Sequence, residues 1–434
     1  MNIAILGYSL EGQSSYEYFS AQGHEITICD GNAELAVPEG VPAVLGENYL
    51  DNLDRFDLLV RTAGLPPKLI LDKNPGVAAK ITTHLNEFLK VCPTANVIGV
   101  TGTKGKGTTS TLIAKMLEAA GLDVKLGGNI GVPLLDFLKD LTAESWVVLE
   151  LSSFQLIDLK ISPHIGVCLM VVPEHLNWHT DMQEYVEAKS QLFKHQSDQD
   201  VAVYFADNEM SQKIANAGPG RKIPYFAPPG AIVDDNAISI DSHVICKTDE
   251  LKLPGRHNRQ NVCAAVTAVW QVSQNVEAMK SVLTSFSGLE HRIELVREVD
   301  GVRFYNDSYS TVLHATEAAI EAVKGKKVMV LGGYDRMLDI DHFGVYAIDH
   351  QADFRKLLLI GATAQKLADS LGKAGFTNYV INTEAKTMPE VVAAARHLAQ
   401  PGDAVILSPG FASFDMFKNF MERGLQFKEA VQSL

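Results

Sequence analysis

The sequence predicts an α/β fold of doubly wound parallel sheets, repeated along the chain. Short apolar runs that end in Gly, Asp or Ser alternate with helical patterns throughout the 434 residues. Strands buried in a parallel sheet are continuous apolar runs of this kind, because helices cover both faces of the sheet. The length exceeds that of one ordinary domain, which has roughly 100–200 residues, so several such sheets are expected.

Apolar runs mark the candidate strands, and two seams divide them. The runs are NIAILG, EITICD, DLLVRT, VIGVTG, WVVLELS, GVCLMVV, VAVYFAD, KVMVLGG, KLLLIGA and AVILSPG. At the first seam, KVCPTANV, a proline precedes a new strand, and the second seam, FSGLEHR, follows a long helical stretch. We therefore predict three domains, at residues 1–92, 93–290 and 291–434.

Composition and charge exclude several classes of protein. Hydrophobic residues make up 46% of the chain and charged residues 21%, which is typical of a globular enzyme. The net charge of −14 argues against nucleic acid or an anionic membrane surface as the main partner. Small anionic ligands remain possible, because a local cradle of donors overrides the net charge.

The cysteines and the apolar runs indicate a cytoplasmic protein. There are five cysteines, widely spaced and without a CxxC pair, which predicts reduced thiols and neither a disulfide frame nor a zinc site. Apolar runs stay well short of the ~18 residues that a membrane span needs. The opening MNIAILGYSLEG has no basic region and no small-residue cleavage site, so we expect a first strand and no signal peptide.

The first predicted domain has the layout of a dinucleotide-binding unit. GYSLEG follows a strand, and Asp30 ends the next strand, where an acidic residue meets a ribose in such units. Ser9 replaces the second glycine of the motif, so a bare βαβ scaffold is the alternative. A nucleotide-like ligand at the strand ends would meet Leu10, Glu11, Asp30 and Gly64.

A glycine-rich turn, VTGTKGKGTTS, lies between a strand and a helix in the second predicted domain. Glycines let backbone N–H groups converge on an anion, and a helix N-terminus adds positive partial charge. Lys106 is placed to bridge terminal phosphates. Gly107 stands where the usual G-x-x-x-x-G-K-[ST] pattern has a hydroxyl, which leaves Thr108 or Thr109 as a magnesium ligand. The alternative is an ordinary glycine-rich turn.

Two further motifs carry candidate metal ligands. Glu150 ends the strand in WVVLELS, and a carboxylate that faces a phosphate loop is a common metal ligand. The alternative is a strand-end glutamate satisfied by its neighbours. In PEHLNWH, His175 and His179 are four residues apart, on one face if the segment is helical. Leu176 stands where a zinc protease has glutamate, so a magnesium or substrate contact by one imidazole is favoured.

The remaining motifs are helix starts and strand ends. EYVEAKSQLF predicts an amphipathic helix, on which Lys189 is, from the residues alone, a solvated lysine. GRHNRQN opens a helix with Asn258 and Asn261 three apart, directed at one ligand or used in capping. In the last predicted domain, YNDS places Asp307 and Ser308 at a strand-to-helix junction. Strand-end loops such as this one, LGGYDR and LSPGFASFDMFKNF predict a second ligand face.

Together these motifs resemble the Mur ligase family. The resemblance rests on LELSSFQL, PEHLNWH, EYVEAK, GRHNRQN, GLEHRIELV, YNDS, LGGYDR and LSPGFASFDMFKNFMERGLQF, in this order, and it extends from about residue 98 to the C-terminus. It implies three Rossmann-like domains, one for a UDP-sugar, a central P-loop ATPase and one for an amino acid. It also implies that ATP phosphorylates a substrate carboxylate and that an amine then displaces phosphate, leaving an amide, ADP and phosphate.

The resemblance assigns roles by matched position. The catalytic residues would be Lys106, Glu150, His175 and Lys189. ATP would be bound by Gly102, Thr103, Lys104, Gly105, Lys106, Gly107, Thr108, Asn258, Asn261, Arg292 and Asp307. Two magnesium ions would be held by Thr108, Glu150, His175 and Lys189, the last as a carbamate. The UDP-sugar would meet Leu10, Glu11, Asp30, Gly64, Asn129 and Ser152. The amino acid would meet Thr311, Arg336, Ser413 and Phe420.

The motifs are most similar to the branch of the family that adds D-glutamate to UDP-N-acetylmuramoyl-L-alanine, and we expect a monomer. Tyr309 and Arg336 stand where that branch usually has lysine, so L-glutamate or D-lysine remain alternatives. A folylpolyglutamate-type ligase shares TGTKGKG, but SSFQL and SFDMFKNF argue against it. Retention of the matched catalytic residues argues against a nucleotide-binding regulator that has lost catalysis.

Overall fold

The computed structural model divides the chain into two compact units, residues 1–286 and 287–434, each described by itself. The structure describes residues 1–129, 132–176, 178–253, 255–335 and 340–434.

The first sheet of unit 1 is parallel, with the strand order β3-β2-β1-β4-β5. Its strands are β1 Asn2–Leu6, β2 Glu25–Asp30, β3 Ala43–Leu45, β4 Leu58–Arg61 and β5 Ile81–Thr83. Its helices are α1 Leu10–Ala21, α2 Pro67–Lys73 and α3 His84–Val91. Alternate residues of β1 enter separate apolar clusters on the two faces, Ile3 and Ile5 in one and Ala4 and Leu6 in the other. Helices therefore cover both faces of this sheet.

The second sheet of unit 1 is also parallel, with the order β11-β10-β9-β6-β8-β7. Its strands are β6 Val97–Thr101, β7 Val124–Gly128, β8 Trp146–Glu150, β9 Ile165–Cys168, β10 Val201–Phe205 and β11 Arg221–Tyr225. Its helices are α4 Lys106–Ala119, α5 Ser153–Leu156, α6 Met182–Lys194, α7 Glu209–Ala215, α8 Arg256–Trp270 and α9 Val276–Ser285. The order reverses at β6, and ligands bind in the crevice beyond such a strand's carboxyl end.

A small antiparallel sheet is inserted before α8. Its strands are β12 Ile232–Asp234, β13 Ala237–Ile240 and β14 His243–Lys247, in sequence order. The first and second strands are joined by Asp235 and Asn236, which both have positive φ. Asp and Asn tolerate this conformation better than most residues, so the hairpin follows from its turn residues.

Unit 2 contains one more sheet, with the order β15-β16-β20-β17-β18-β19. The strands are β15 Glu294–Val299, β16 Val302–Asn306, β17 Lys327–Leu331, β18 Phe354–Leu359, β19 Tyr379–Ile381 and β20 Ala404–Leu407. The helices are α10 Leu313–Ala322, α11 Asp341–Asp349, α12 Ala364–Lys373, α13 Met388–Leu398 and α14 Phe420–Gln432. β15 pairs antiparallel with β16, and the other pairings are parallel. Apolar clusters lie on both faces.

The α/β class with parallel sheets is confirmed, and each of the ten apolar runs quoted above overlaps a strand. PEHLNWH is different, because its described residues lie outside any helix and His175 has φ +59°. The seam near 93 falls inside unit 1, and the seam near 290 lies close to the division after Phe286. The division into three domains remains a prediction.

Two structural observations concern the cysteines and the apolar character of the helices. All five cysteines carry free thiols. Within the described ranges, no helix combines the length and the apolar character that crossing a membrane requires.

Candidate nucleotide and metal site at the phosphate loop

The turn between β6 and α4, residues 102–105, has the backbone of an anion cradle. Gly102 has φ +147° and Gly105, the residue before α4, has φ +87°. A Cβ on Gly102 would stand 2.6 Å from the Cβ of Leu169, and one on Gly105 would overlap Oδ1 of Asn261. Glycine is therefore required at both positions by conformation and by space. We call residues 102–107 the phosphate loop.

Thr103 and Lys106 fix the shape of the phosphate loop. The Thr103 N–H donates to the Met170 carbonyl at 2.9 Å, and the Val172 N–H donates to Thr103 Oγ1 at 3.0 Å. Lys106 Nζ donates to the carbonyls of Gly102 (3.2 Å) and Thr103 (3.1 Å). The ammonium group is thus held over its own loop, beside the N-terminus of α4, where positive charge attracts phosphate.

Lys189 is buried against the phosphate loop. Its exposed fraction is 1%, and Nζ donates to the Gly102 carbonyl at 3.0 Å and to Thr101 Oγ1 at 3.4 Å. Nζ also lies 4.6 Å from the ring centroid of Tyr185. Burial, reinforced by the positive charge of Lys106, lowers the pKa of Lys189 to about 7. The expectation of a solvated lysine, based on the residues alone, is wrong, because α6 turns this side chain inward.

Glu150 lies at the end of β8, next to β6 in the sheet, and is paired in register with Val100. It is 5% exposed, and its Oε1 accepts a hydrogen bond from Asn129 Nδ2 at 2.9 Å. The Asn129 N–H also donates to the Glu150 carbonyl at 2.8 Å. Asn129, matched to the UDP-sugar by resemblance, thus orients the candidate metal ligand. The sequence contained no signal for this pairing, since 21 residues separate the two.

His175 lies in the irregular segment after β9, near the lysines of the phosphate loop. Its side chain is half exposed, and Nε2 is 3.8 Å from Glu174 Oε2. Glu174 in turn forms an ion pair with Lys104 at 2.5 Å. Burial lowers the pKa of His175, and the charge of Lys106 acts in the same direction, while Glu174 opposes it. The imidazole is therefore neutral near pH 7, as a metal ligand must be.

His179 has different surroundings from His175 and a different role. It is buried, with Nε2 2.9 Å from Ser153 Oγ and Nδ1 3.4 Å from Glu184 Oε2. Its N–H donates to the His175 carbonyl at 3.0 Å. Burial lowers the pKa of His179. This histidine therefore fixes the turn that carries His175, and the two imidazoles do not share one helical face.

Asn258 and Asn261 lie in the first turns of α8, beside the phosphate loop. Asn261 Nδ2 donates to Asn258 Oδ1 at 3.3 Å, and Asn261 Oδ1 packs against Gly105. The residue that caps α8 is Gly255, so the alternative of simple capping by these asparagines is wrong. Asn261 thus restricts the backbone at the point where α4 begins.

Glu11 connects the first sheet to the second through Gln155, which Ser152 holds in place. Glu11 Oε2 accepts from the Ala63 N–H at 3.1 Å, and Oε1 accepts from Gln155 Nε2 at 2.8 Å. Ser152 caps α5, and its side chain and that of Gln155 form a capping box. Both residues matched to the UDP-sugar therefore lie where the two sheets of unit 1 meet.

The other residues matched to the UDP-sugar lie at the strand ends of the first sheet. Leu10 is 70% exposed at the start of α1. Asp30 accepts from the Tyr8 N–H at 2.8 Å, and so its carboxylate is already engaged by the β1–α1 turn. The Gly64 carbonyl accepts from Trp178 Nε1 at 3.2 Å. The strand-end crevice expected of this topology therefore contains these residues.

In unit 2, Asp307 is an internal residue of the strand-to-helix junction. It is 2% exposed, and its Oδ2 accepts from the hydroxyls of Ser310 and Ser408, both at 2.6 Å. Its Oδ1 accepts from the Ile293 N–H at 3.1 Å. Burial raises the pKa of Asp307 to about 6, and these hydrogen bonds oppose the rise. The structure thus gives the carboxylate a full set of partners within unit 2.

Arg292 and Phe420 both contact Tyr309, the residue that departs from the family pattern. The Arg292 guanidinium lies 4.6 Å from the Tyr309 ring centroid, and the Phe420 ring meets the same ring edge-on at 5.3 Å. Tyr309 therefore brings one residue matched to ATP and one matched to the amino acid into a single aromatic cluster. Cation–aromatic contacts of this geometry are worth about 0.5–1 kcal/mol at exposed sites.

Arg423 supports this junction, and the sequence did not single it out. It is buried in α14; Nε donates to Ser308 Oγ and Nη2 to the Ser308 carbonyl, both at 2.9 Å. The available signal was an arginine within the helical stretch NFMERGLQF.

Of the residues matched to the amino acid, Thr311 is half-buried and Ser413 is buried. Arg336 lies outside the described residues.

Comparisons with known proteins identify the family. A model of the Mur ligase middle domain matches residues 100–269, and one of the Mur ligase glutamate ligase domain matches residues 291–411. Curated relatives named UDP-N-acetylmuramoylalanine–D-glutamate ligase are 38% identical in Acetivibrio thermocellus and 35% in Clostridium kluyveri, each over 100% of this chain and 96% of the relative. The chain belongs to the Mur ligase family.

Solved structures of Mur ligases share the fold. The UDP-N-acetylmuramate–alanine ligase of Thermotoga maritima matches 100% of this chain and 99% of its own, with a TM-score of 0.54 and 15% identity. The MurF ligase of the same organism, solved with ADP, matches 99% and 94%, with a TM-score of 0.55 and 16% identity. Mur ligases are ATP-dependent, ADP-forming amide ligases.

Proposed function

We propose that this Mur ligase joins D-glutamate to UDP-N-acetylmuramoyl-L-alanine and converts ATP to ADP and phosphate. Relatives that carry this activity in their name align with the whole chain at 35–38% identity. The reaction supplies a peptidoglycan precursor and, through it, cell shape and division. The proposal includes a cytoplasmic monomer of three Rossmann-like domains (1–92, 93–290 and 291–434), the second a P-loop ATPase.

The burial of Lys189 against the phosphate loop is the observation that carries the proposal. A lysine with 1% exposure is costly to keep, because its ammonium group loses hydration. Its ammonium group donates to Thr101 Oγ1 in β6 and to the Gly102 carbonyl in the phosphate loop. An amine held at this point is placed to serve the phosphate chemistry of the loop.

The first chemical step is the transfer of the terminal phosphoryl group of ATP to the alanyl carboxylate. A carboxylate and a triphosphate repel each other, so cations and aligned donors must bring them into line. Lys106 and the N-terminal amides of α4 supply positive charge at the transferred group. Asn258 and Asn261 lie beside the same loop and, with Arg292 and Asp307, are assigned to ATP.

The second step is attack by the amine of the incoming amino acid on the acyl phosphate. The new C–N bond forms as the tetrahedral centre collapses, the C–O bond to phosphate breaks, and the amine loses a proton. Thr311, Arg336, Ser413 and Phe420 are assigned to the amino acid. Leu10, Glu11, Asp30, Gly64, Asn129 and Ser152 are assigned to the UDP-sugar.

The residues around the phosphate loop fit magnesium. Glu150 offers a buried carboxylate that Asn129 holds in place, His175 offers a neutral imidazole, and Thr108 offers a hydroxyl in the first turn of α4. Oxygen-rich donor sets suit magnesium, which is bound with substrate phosphates and few protein ligands. When bound, two such ions would neutralise phosphate charge and align the reacting oxygens.

Lys189 completes this set as a carbamate. With a pKa of about 7, a large share of its amine is neutral near pH 7 and able to attack carbon dioxide. A nitrogen–carbon bond forms, one proton is released, and the side chain ends in a carboxylate. The remaining N–H is still able to donate to the Gly102 carbonyl. The modification converts a buried cation into an oxygen ligand for the second magnesium ion.

Phosphate release with ATP, Mg²⁺ and UDP-N-acetylmuramoyl-L-alanine, measured over a panel of amino acids, tests the proposal. D-glutamate is expected to give release and a product of the corresponding mass. Tyr309, which replaces a lysine of the D-glutamate branch, makes L-glutamate and D-lysine the informative alternatives. If one of these amino acids gives phosphate release and D-glutamate does not, only the identity of the amino acid is contradicted. If none of the amino acids tested gives release, the ligase activity itself is contradicted.

A further inference from the structure

Two imidazoles and a carboxylate form a cluster in unit 2 that the proposed ligase chemistry does not use. One donor atom each of His314, Glu317 and His342 lies within 4.8 Å of the other two. His314 Nδ1 is 2.9 Å from Glu317 Oε2, and His342 Nε2 is 3.3 Å from Glu317 Oε1. The two imidazole rings stack, with centroids 4.4 Å apart and an interplanar angle of 29°.

Two helices build this cluster from fixed positions. His314 and Glu317 are three apart on α10, so they share one face of the helix. His342 is in the first turn of α11. One turn later, the Tyr346 hydroxyl donates to the Glu317 carbonyl at 3.2 Å, which ties α11 to α10 at the same point. The donor atoms are therefore carried by backbone that is already ordered.

Glu317 Oε1 is buried and lacks a hydrogen-bond partner among the described residues. His342 Nε2 lies 3.3 Å away and does not form a hydrogen bond with this oxygen. A buried carboxylate oxygen left without a partner is costly, and such an atom in a folded protein points to a ligand or ion. A cation between Glu317 and His342 would satisfy this oxygen, and the exposed His314 leaves a route from solvent.

We propose that His314, Glu317 and His342 bind a transition-metal ion of the zinc class. Two imidazole nitrogens and one carboxylate oxygen, with water in the fourth position, form a common zinc donor set, with metal–ligand distances of about 2.0–2.2 Å. Magnesium prefers oxygen ligands, so this cluster discriminates against the ion of the phosphate loop. The bound ion would cross-link the start of α10 to the start of α11 and stabilise unit 2.

The test measures zinc and cobalt binding to the full chain after treatment with a chelator. Magnesium is kept in large excess, and zinc affinity is read by competition with a chromophoric chelator. Cobalt(II) then reports ligand geometry through its visible absorption. The wild-type chain is compared with His342→Gln and Glu317→Gln, and with His397→Gln, an exposed histidine on α13, as the matched control.

The wild type and His397→Gln are expected to bind one ion with the absorption of a four- or five-coordinate site. His342→Gln and Glu317→Gln are expected to lose roughly 10–100-fold in affinity. A further variant, His175→Gln, removes the histidine assigned to magnesium and should leave zinc binding unchanged. Equal affinity in the wild type and His342→Gln, or loss of binding in His175→Gln, would overturn the assignment. The unfolding midpoint in chelator, equal in all variants, establishes that each is folded.

Discussion

At the scale of single residues, burial decides what a charged side chain does. Lys194 and Lys189 lie on the same helix, yet Lys194 is exposed and Lys189 is almost fully buried at the phosphate loop. The two lysines are chemically identical in the sequence, and only the face of α6 that packs on β6 separates them. The residues alone therefore predict a solvated Lys189, and only the family resemblance singles it out.

Replacement of Lys189 tests the carbamate directly. Lys189→Ala is expected to lower ATP-dependent ligation by at least roughly 100-fold, since it removes the proposed carbamate ligand. Added formate or acetate should restore part of the rate by supplying a carboxylate in the cavity. Lys194→Ala, on the exposed face of α6, is the control and should keep the wild-type rate.

Carbon dioxide and pH provide the second measurement on this lysine. At pH 6 most of the Lys189 amine is protonated, because its pKa is about 7, and above pH 8 most of it is neutral. Removal of dissolved carbon dioxide and bicarbonate should therefore lower the wild-type rate. Re-addition to the same concentration of dissolved carbon dioxide should restore the rate faster at pH 8 than at pH 6, because more of the amine is neutral at pH 8. A Lys189→Ala enzyme with full activity would contradict the carbamate role.

At the scale of elements, the segment that runs from β6 through the phosphate loop to α4 is fully predictable from sequence. The apolar run VIGVT, the glycines and the helical pattern that follows each specify their own conformation. The stretches 171–176 and 178–181 are less predictable, because their conformation depends on His179 contacting Ser153 and Glu184 from other elements. The short strands β3, β5 and β19 were missed for a different reason, since three residues carry little periodicity.

Alanine substitutions at two glycines, one at each end of α4, distinguish the effect of backbone strain from the effect of steric overlap. Gly105 has φ +87° and packs against Asn261, whereas Gly121 has φ +89° and has open space around its Cα. Alanine costs about 1–2 kcal/mol of strain at either position, because both lie in the left-handed region. Only at Gly105 would the new methyl group also displace Asn261 and the start of α4.

Gly105→Ala is therefore expected to raise the KM for ATP at least roughly tenfold, equivalent to about 1.4 kcal/mol of lost binding. Gly121→Ala should lower thermal stability to a comparable degree and leave the KM for ATP unchanged. Steady-state kinetics and thermal unfolding of both variants provide the measurement. Equal KM values for the two variants would mean that the phosphate loop tolerates a side chain at its last position.

At the scale of the whole molecule, polar contacts join the two parallel sheets of unit 1 into one body. Ser14 Oγ donates to Asp136 Oδ1 and lies 3.1 Å from His84 Nε2, in a buried cluster between α1 and the segment after β7. Glu11 bonds to Gln155 across the same boundary. None of these partners is near the other in sequence, so composition and periodicity could not predict them. The boundary predicted at residue 93 consequently lies within a single compact unit.

Arg61 is the most deeply buried of these connections. Its side chain is fully buried, and it forms a two-pronged pair with Asp158, with Nε to Oδ2 at 3.0 Å and Nη2 to Oδ1 at 2.8 Å. Nη1 donates to the Leu65 carbonyl at 2.7 Å, and Nη2 also donates to the Phe154 carbonyl at 2.9 Å. Arg61 ends β4 of the first sheet, and Asp158 follows α5 of the second. The pair therefore fixes one sheet against the other.

Arg61→Met should destabilise unit 1 by about 3–5 kcal/mol, because it removes the donor from the Asp158 carboxylate and from the carbonyls of Leu65 and Phe154. Lys73→Met is the matched control, since Lys73 pairs with Asp51 at 2.7 Å while both side chains are more than two-fifths exposed. An exposed pair contributes only about 0–1 kcal/mol, so the control should unfold at nearly the wild-type temperature. Thermal unfolding of both variants, followed by tryptophan fluorescence, measures the difference. If Arg61→Met unfolds at the same temperature as Lys73→Met, the two sheets are held together by their apolar contacts, and the buried pair contributes only their relative orientation.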